Sequence, residues 1–586
     1  MGNLMASFGT GVSGLKAAQT SLNTTAHNLA NATTAGHTRQ QTILTDHYYS
    51  TTYGNHTNLL QVGLGTNIAL VRQVRNEFLD DNYRLQIGRQ NFYEAQSETA
   101  MEIESLFGEL EGEKFSDTVV NVWKSLQELQ KEPESLVKKD LLASVASTFV
   151  ERANVVRDQL KDYQVNLNQE IELQVKRINE IAQGIKECND EIKRVEVTGE
   201  QANDYRDTRN LLLDELGNYM DYDITEEIDG TISVYVEGQY LVSTNKAFSL
   251  GTERISDTSA MLKVVWNENG GGDFFGQDSL SYSMENNTDI GSLKGLLIAR
   301  GNKVANYTDI PVRPKETDYN NVADYQQAMN NFNAALDEYN SKIEPSIMMT
   351  VQAQFDSLVH GIVTLINDTL CPNIEVKLQD GSTIKILDTE NCPQGDDENH
   401  TVGTELFSRK STPRYTKETV TLEDGTTAEV YRYNEEDPDD IYSLYTISEL
   451  EVNPNVLQNA SLIPLMANAA SGNVNGYPSE IVESVLNNWS IELGALDPNS
   501  LTTYTINDFY DAMIVGIGSK GQVWNSIVSN QENLVFGIDE ERQMVMGVST
   551  DEELVSLIKY QHSYNASSRY ITVIDEMLEH LIERLG

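Results

Sequence analysis

The chain closes with the stretch STDEELVSLIKYQHSYNASSRYITVIDEMLEHLIERLG, residues 549–586, which has no proline and no glycine before its last residue. Ser549 followed three residues later by Glu552 is the capping-box pattern of a helix start. Apolar residues then recur at alternating steps of three and four, the heptad seam of a coiled coil. That stripe comprises Leu557, Tyr560, Tyr564, Ser567, Ile571, Ile574, Leu578, Leu581 and Leu585. We expect one helix over 550–585, about 54 Å long at 1.5 Å per residue.

A second heptad stripe lies near the N-terminus, over residues 5–29. It comprises Phe8, Val12, Leu15, Gln19, Leu22, Ala26 and Leu29. Lys16 is the only fully charged side chain between Met1 and Thr38, although 22% of the whole chain is charged. A helix exposed to solvent normally carries charge on its outer face, so we expect this one to pack on several sides. Alone in water it should be marginal. One interpretation of the closing helix is that it merely packs on its own domain. Because both ends of the chain carry a heptad stripe, we favour an assembly interface that the two helices share.

Between the ends, the period of the apolar residues changes several times. Ile232, Val234 and Val236 alternate with polar residues after an Asp-Gly turn, which indicates a β-hairpin. Pro345 should break or kink a helix over 322–370. We also expect the glycines between 516 and 521 to interrupt the helix that begins near 507, and the acidic run at 435–440 to be a solvated loop.

These changes predict a multidomain α+β fold. The N- and C-terminal heptad helices should pair in an α-helical coiled-coil or bundle core, with β-rich outer domains in mid-chain. The predicted parts are an N-terminal assembly helix and turn (1–40), a helical bundle domain (41–220), a β-rich domain (221–310), connecting helices (311–371), a β-rich outer insert (372–450), a mixed return segment (451–506), a bundle helix (507–546) and a C-terminal assembly helix (547–586).

Composition argues against several classes of partner. The net charge of −47 disfavours nucleic acid, whose phosphates bind basic faces. No apolar run approaches the roughly 20 residues that span a bilayer. The residues before Lys16 contain no continuous apolar core of a secretory signal, which predicts a cytoplasmic protein or export without a cleaved signal. Cys188, Cys371 and Cys392 are too few for a disulfide framework, though the last two could pair in an oxidising compartment.

No motif in this sequence has the spacing and context that a catalytic, cofactor-binding or metal-binding site requires. The Gly-x-Gly-x-x-Gly pattern occurs at 9–14 and 516–521, but neither copy lies in a βαβ unit, as a dinucleotide site requires. The acidic stretch at 396–400 lacks the regular spacing of an EF-hand. We therefore predict no enzyme, no cofactor and no bound metal.

Several segments together resemble the flagellar axial proteins. Asn28-Leu-Ala-Asn31 followed by Thr34 and Gly36 is similar to the N-terminal signature of rod, hook and hook-associated proteins, with His37 where that signature usually has an aromatic residue, mostly Tyr. The extension Thr38-Arg-Gln40 favours the hook-associated group at the hook–filament junction. Similar segments of that group are 206–216, 229–234, 291–297 and 547–554, together with Tyr560, Gln561, Tyr564, Ala566 and Arg569.

The resemblance implies a structural role outside the cell, at the hook–filament junction of the bacterial flagellum. It implies export through the type III channel without a cleaved signal, self-assembly into a ring, contacts with the flagellar hook protein and with hook-associated protein 3, and a cytoplasmic export chaperone on the C-terminal region. It implies no nucleic acid and no membrane insertion. The expected assembly interface comprises Phe8, Val12, Leu15, Leu22, Leu29, Asn31, Gly36, Leu557, Tyr560, Tyr564, Ile571, Ile574, Leu578 and Leu581.

Three alternatives stay open at this point. A flagellar hook or distal-rod protein would share the terminal signatures, although the long helical region at 77–195 argues against it. A secreted coiled-coil adhesin with a β-rich head would need a signal peptide or surface anchor. An enzyme embedded in the insert at 372–450 is the third.

Overall fold

The computed structural model describes residues 2–53, 59–108, 114–257, 259–268, 271–276, 281–319, 321–468 and 476–585. The helices are α1 (Gly2–Ala30), α2 (Glu77–Gly108), α3 (Phe115–Lys131), α4 (Leu136–Glu196), α5 (Asn203–Tyr219), α6 (Ser292–Arg300), α7 (Val322–Lys342), α8 (Ile347–Leu370), α9 (Pro454–Gln458), α10 (Ser479–Trp489), α11 (Ile506–Met546) and α12 (Thr550–Leu585). The α+β class predicted from the sequence is confirmed, with long helices at both ends and small sheets between them.

The strands form small antiparallel sheets. They are β1 (Gln40–Asp46), β2 (Tyr49–Tyr53), β3 (Leu59–Gly63), β4 (Thr66–Gln73), β5 (Asp223–Glu226), β6 (Ile232–Val236), β7 (Gln239–Val242), β8 (Leu250–Arg254), β9 (Leu262–Trp266), β10 (Asn373–Lys377), β11 (Thr383–Leu387), β12 (Phe407–Arg409), β13 (Tyr415–Thr421), β14 (Thr427–Tyr433), β15 (Leu450–Val452), β16 (Glu492–Gly494) and β17 (Tyr504–Thr505). The largest described sheet has the order β10-β11-β14-β13.

The main core is a helical bundle built from α2, α3, α4, α8, α10 and α11. Aromatic rings meet at its centre, where the Phe115 centroid lies 4.8 Å from that of Phe355 and 5.6 Å from that of Phe149. These rings are fully buried. Edge-to-face and tilted ring pairs of this kind add to the apolar burial that holds long helices together.

The expected interruption of the bundle helix at the glycines of 516–521 is wrong. Helix α11 runs unbroken for 41 residues through all of them. Gly521 lies against α2, where a β-carbon built on it would be 3.3 Å from Cβ of Ala100. The glycines therefore permit close approach of two helices, and the packing compensates for their low helix propensity. The apolar residues before them belong to the helix, so the Gly-x-Gly-x-x-Gly pattern here follows no strand.

The predicted break at Pro345 is present. Helix α7 ends before it and α8 begins after it, with the Ser346 hydroxyl accepting a hydrogen bond from the Met349 backbone N–H at 3.3 Å. A serine at this position satisfies one of the free N–H groups of the new helix start.

The region at 221–310 contains strands β5 to β9, and its end is helical. Helix α6 is buried between α2 and α4, and Gly295 brings it close to α2, because a β-carbon there would lie 2.8 Å from the carbonyl oxygen of Phe92. Strands β6, β7 and β9 pack their apolar faces on α4 and α6. The mid-chain motif at 291–297 is thus the helix that joins the β-rich part to the bundle.

The insert at 372–450 contains the four-stranded sheet, and Asp-Gly turns at 380–381 and 424–425 join its hairpins. Its small apolar cluster comprises Ile384, Ile386, Val420 and Val430. The prediction that 435–440 is a solvated loop is wrong in one place. Glu436 is largely buried and bonds to Tyr307 and to His360 Nε2, at 3.1 Å from the latter.

Candidate assembly interface

The two terminal helices pack on each other in antiparallel orientation. Gly11 of α1 faces Ile571 of α12, and Gly14 faces Ser567, so the sequence numbers run in opposite directions. A β-carbon on Gly11 would lie 2.8 Å from Cγ1 of Ile571. The glycines lower helix propensity by up to about 1 kcal/mol each, and here that cost permits a close helix contact.

The buried face of α1 consists of small side chains rather than large apolar ones. Ala17, Ala18, Ser21 and Thr25 are each 5% exposed or less. Small residues allow two backbones to approach closely, so dispersion contacts replace the usual leucine seam. This face has no hydrophobic period for a sequence pattern to detect.

The β1–β4 hairpin covers another face of α1. Asn28 both donates to the Gln40 carbonyl at 2.9 Å and accepts from its backbone N–H at 3.0 Å. The Ser13 hydroxyl accepts from the Thr66 backbone N–H at 3.2 Å. Polar side chains of α1 therefore form hydrogen bonds with the backbone of the hairpin, which explains why this helix lacks an apolar stripe on that side.

The apolar stripe predicted on α1 lies outside both of these contacts. Its members Phe8, Val12, Leu15, Leu22 and Leu29 are all only half-buried. With 100° between successive residues, the centre of this stripe lies roughly opposite the hairpin and beside the face that packs on α12. One flank of α1 thus presents large apolar side chains that the single chain leaves partly open.

The stripe predicted on α12 does face α1. Ile574 is 4% exposed. The other expected members are half-buried, namely Leu557, Tyr560, Tyr564, Ile571, Leu578 and Leu581. The helix starts as expected, with the Ser549 hydroxyl 3.5 Å from the Glu552 backbone N–H.

A second apolar stripe on α12 stays exposed. It comprises Val555, Tyr570, Val573 and Met577, which are 67%, 44%, 47% and 56% exposed. The C-terminal end of this stripe, at Val573 and Met577, borders an open groove of about 730 Å³ that Leu4 and Leu581 also line. Tyr570, Val573 and Met577 lie within two turns of each other, about four turns after Val555, and exposed apolar residues clustered in this way are typical of a surface that another protein covers.

The signature after α1 forms a tight turn. Asn31 donates from its side chain to the His27 carbonyl at 3.1 Å and accepts from the Thr34 hydroxyl at 3.1 Å. Gly36 has a φ of +78°, the left-handed region that glycine adopts without strain, and it lies against Leu211 of α5. Asn31 and Gly36 thus shape the turn that returns the chain to β1.

The next three residues connect the terminal pair to the bundle. The Thr38 backbone N–H donates to Asp207 Oδ2 at 3.1 Å, and Gln40 pairs with Asn28. The Arg39 side chain binds the start of α12, with its Nε 2.8 Å from Glu553 Oε1, and the Arg39 backbone N–H lies 2.8 Å from the carbonyl oxygen of Met546 at the end of α11. Glu553 is 3% exposed, so this ion pair is largely withdrawn from water.

Two histidines and two aspartates meet beside this connection. His37 Nδ1 lies 3.5 Å from Asp207 Oδ2, and the His27 and His37 rings are 5.4 Å apart edge to face. Burial, then the neighbouring His27, lowers the pKa of His37, whereas Asp204 opposes that shift. Burial raises the pKa of Asp207 to about 6. His37 thus fills the aromatic position of the signature while adding a polar contact to α5.

Sequence reasoning missed Arg39 and Glu553 as partners. Acidic residues at 551–553 suit the positive end of the helix dipole, and nothing local indicates that one of them is buried against a residue 514 positions away. Within the described ranges no group of three or more His, Cys, Asp or Glu side chains is placed to hold a metal ion. None of the described helices is long and apolar enough to span a membrane.

Family models match three parts of the chain. The flagella basal body rod protein model matches residues 8–38, the helical domain of the flagellar hook-associated protein FlgK matches residues 100–335, and the C-terminal model of the flagellar basal body rod FlgEFG proteins matches residues 545–584. The rod-protein model at 8–38 covers most of α1 and the turn signature, and the model at 545–584 covers nearly all of α12.

Curated relatives align along nearly the whole chain. Flagellar hook-associated protein 1 of Bacillus subtilis is 24% identical over 98% of this chain and 96% of its own length. The proteins of that name from Escherichia coli and Salmonella typhimurium are 22% and 23% identical, each over 97% of this chain and 98% of its own length.

A solved structure titled as the flagellar hook junction protein FlgK from Burkholderia pseudomallei aligns with a TM-score of 0.49 at 12% identity. It covers 80% of this chain and 100% of its own.

The resemblance predicted from the terminal signatures is confirmed by the homologues named flagellar hook-associated protein 1. The rod-protein models match only the two ends, whereas these homologues extend through the bundle and the mid-chain. Whole-chain similarity therefore favours a hook-associated protein over a hook or distal-rod protein.

Proposed function

We propose that this chain, a homologue of flagellar hook-associated protein 1, is a structural protein of the bacterial flagellum that joins the hook to the filament. We propose no catalytic role. The observation that carries the assembly mechanism is that α1 and α12 pair within one chain and still leave large apolar side chains on their outer flanks.

The mechanism divides the terminal helices into an internal and an external contact. Internally, the small-residue face of α1 meets the stripe of α12 through Gly11 and Ile571. Externally, the half-buried stripe of Phe8 to Leu29 and the exposed stripe of Val555 to Met577 contact neighbouring subunits. Each Å² of apolar surface buried between subunits contributes about 25 cal/mol. This burial stabilises the ring and also the pair of α1 and α12, so folding and assembly are coupled.

Proposed partners follow from position in the flagellum. Copies of this chain form a ring, and that ring contacts the flagellar hook protein on one side and hook-associated protein 3 on the other. Before assembly, an export chaperone covers the C-terminal region, whose exposed apolar stripe would otherwise associate nonspecifically. The chain then leaves through the flagellar export channel.

The experiment separates the external contact from the internal one. Ile571→Asp would disrupt the pair within the subunit, so it does not isolate assembly. Met577→Glu changes the exposed stripe, and Asn565→Glu adds the same charge at an exposed polar position of the same helix. We expect Met577→Glu to abolish incorporation and swimming, and Asn565→Glu to retain both, with equal thermal stability of the two purified proteins.

Immunogold labelling of the complemented strains tests the location. A band at the boundary between hook and filament is the expected result for the wild type. Label along the hook, or on the cell surface, would contradict the junction role. Normal filament growth with Met577→Glu would contradict the assigned contact surface.

A further inference from the structure

Two of the three cysteines lie side by side at the base of the insert. Cys371 follows the end of α8, and Cys392 lies in the loop after β11. Both are fully buried and both are free thiols. Burial and the neighbouring thiol raise the pKa of Cys371, and the Cys371 thiol lowers that of Cys392, so the two side chains are neighbours. Cys392 Sγ also lies 3.6 Å from the carbonyl oxygen of Leu370, the residue before Cys371.

The backbone holds this pair from both sides. The Asp388 N–H donates to the Pro372 carbonyl at 2.9 Å, and the Cys392 N–H donates to the Asp388 carbonyl at 2.7 Å. On the helix side, the Cys371 N–H donates to the Asn367 carbonyl at 2.8 Å. These backbone bonds hold the segment after α8 against the loop that carries Cys392, so the fold brings the two cysteines together.

The third cysteine is in a different place. Cys188 packs with Ile192 and Ala202 on the bundle helix α4, in a cluster that contains neither of the others. It serves as an internal reference, since it is also buried but has no second thiol beside it among the described residues.

We propose that Cys371 and Cys392 are a disulfide site, which closes in oxidising surroundings and joins the end of α8 to the loop after β11. The oxidant is a small-molecule disulfide. One cysteine thiolate attacks it and releases the first small thiol, and the second cysteine attacks the resulting mixed disulfide and releases the other. One Sγ–Sγ bond forms, the small disulfide is reduced to two thiols, and those thiols take up the two protons.

The surroundings determine the lifetime of the bond. Arg414 and the Tyr415 hydroxyl both donate to the Cys371 carbonyl and help to enclose the site. Because the pair is buried, exchange occurs while the insert folds or opens, and the finished bond is shielded from reductants.

The bridge has a consequence for the insert. It closes a loop of about 20 residues, a length at which a disulfide restricts the unfolded chain appreciably. Disulfides persist in oxidising surroundings and are rare in the cytosol. The insert would therefore gain this restraint outside the cell and remain free of it inside.

Refolding of the full-length protein tests the site. Denatured, reduced protein is refolded with oxidised glutathione, alkylated after denaturation and digested for mass spectrometry. We expect the number of alkylated cysteines to fall from three to one, that one being Cys188, with a linked peptide pair that contains Cys371 and Cys392. Cys188→Ser should retain the link, and Cys392→Ala should lose it.

A second measurement keeps the test independent of the variants. The oxidised wild type should melt at a higher temperature than the same protein after denaturation and refolding with a reductant. Three alkylated cysteines in folded protein refolded with oxidised glutathione would overturn the proposal, as would a link to Cys188. An equal melting temperature for the linked and reduced forms would contradict the stabilising role.

Discussion

Arg39 and Glu553 form an ion pair at 2.8 Å across 514 positions of the chain. Arg39 follows the turn after α1, and Glu553 lies in the first turn of α12 with only 4% of its side chain exposed. The guanidinium also reaches Glu552 at 3.3 Å, but that carboxylate is 65% exposed. One arginine thus orients the start of the closing helix while the backbone N–H of the same residue binds the end of α11.

Removing Arg39 should therefore be costly. Arg39→Ala leaves the Glu553 carboxylate buried without its partner, and loss of one member of a buried pair costs about 3–5 kcal/mol. Because Arg39 itself is partly exposed, we expect the lower end of that range. The measurement is the free energy of unfolding in urea, together with hydrogen exchange of α12. Glu552→Gln is the matched control and should cost less than about 1 kcal/mol; an equal loss in both variants would contradict the role of Glu553.

Two glycines of α1 should respond to alanine in opposite ways. Gly9 has no atom near its missing β-carbon, so Gly9→Ala should stabilise the helix by about 0.5–1 kcal/mol. At Gly11 the new methyl group would meet Ile571 and Tyr570, and overpacking of that kind costs about 1–3 kcal/mol. Thermal melting and limited proteolysis of α12 report the difference. If both variants were stabilised, the close helix contact would be excluded.

Arg542 should be essential for the junction of α2, α5 and α11. Its guanidinium lies 2.9 Å from Asp80 Oδ1 and 2.6 Å from Asp214 Oδ2, and its side chain is 4% exposed. After Arg542→Ala, Asp80 keeps Arg75 and Asp214 keeps Arg84, so we expect a loss of about 1–3 kcal/mol in a urea titration. Arg194→Ala removes a 72% exposed arginine with a single carboxylate partner and should change stability by less than about 1 kcal/mol.

The buried carboxyl group of Glu405 should make the stability of the fold depend on pH. Burial raises its pKa from 4.5 to about 7, more than the attraction of Arg414 and Arg409 lowers it. The fold therefore favours the protonated acid, so its contribution is fully present below pH 4.5 and is lost as the pH rises through about 7.

In the wild type, the Tyr445 hydroxyl donates to the Glu405 carboxylate at 2.6 Å. Glu405→Gln keeps an oxygen that can accept this bond and removes the charge. At about 1.4 kcal/mol per pKa unit, the variant should exceed the wild type by up to about 3 kcal/mol at pH 8 and match it near pH 4.5. Unfolding free energies across that range measure this. Glu418→Gln changes an exposed carboxyl of the same insert and is the control. A constant difference between Glu405→Gln and wild type at all pH values would contradict the assignment.

The closing helix and the α1 helix differ in how well a sequence can predict their packing. The inward stripe of α12 is made of leucine, isoleucine and tyrosine, so its period is visible, and Ile574 is indeed buried. The inward face of α1 is made of glycine, alanine, serine and threonine, which have almost no hydrophobic signal. The large residues of α1, such as Phe8 and Leu15, lie beside that face instead.

The glycines of α11 show a second limit. Propensity alone predicts a break at Gly516–Gly521, because it weighs each residue without its neighbours. The close approach of Ala100 to Gly521 is a tertiary contact, and no local sequence pattern predicts it. The same holds for Arg39 and Glu553, whose partnership depends on how α1, α5 and α12 meet.

The terminal pair is attached to the bundle near the start of α12, through the turn after α1, the β1–β4 hairpin and residues 547–549. Beyond that attachment α12 extends as an arm of 36 residues, about 54 Å long. An arm of that length moves its tip by about 1 Å for each degree of rotation at its base. A few degrees of tilt at Arg39 would therefore move the far end of α12 by a few ångström, with no change in the helix itself.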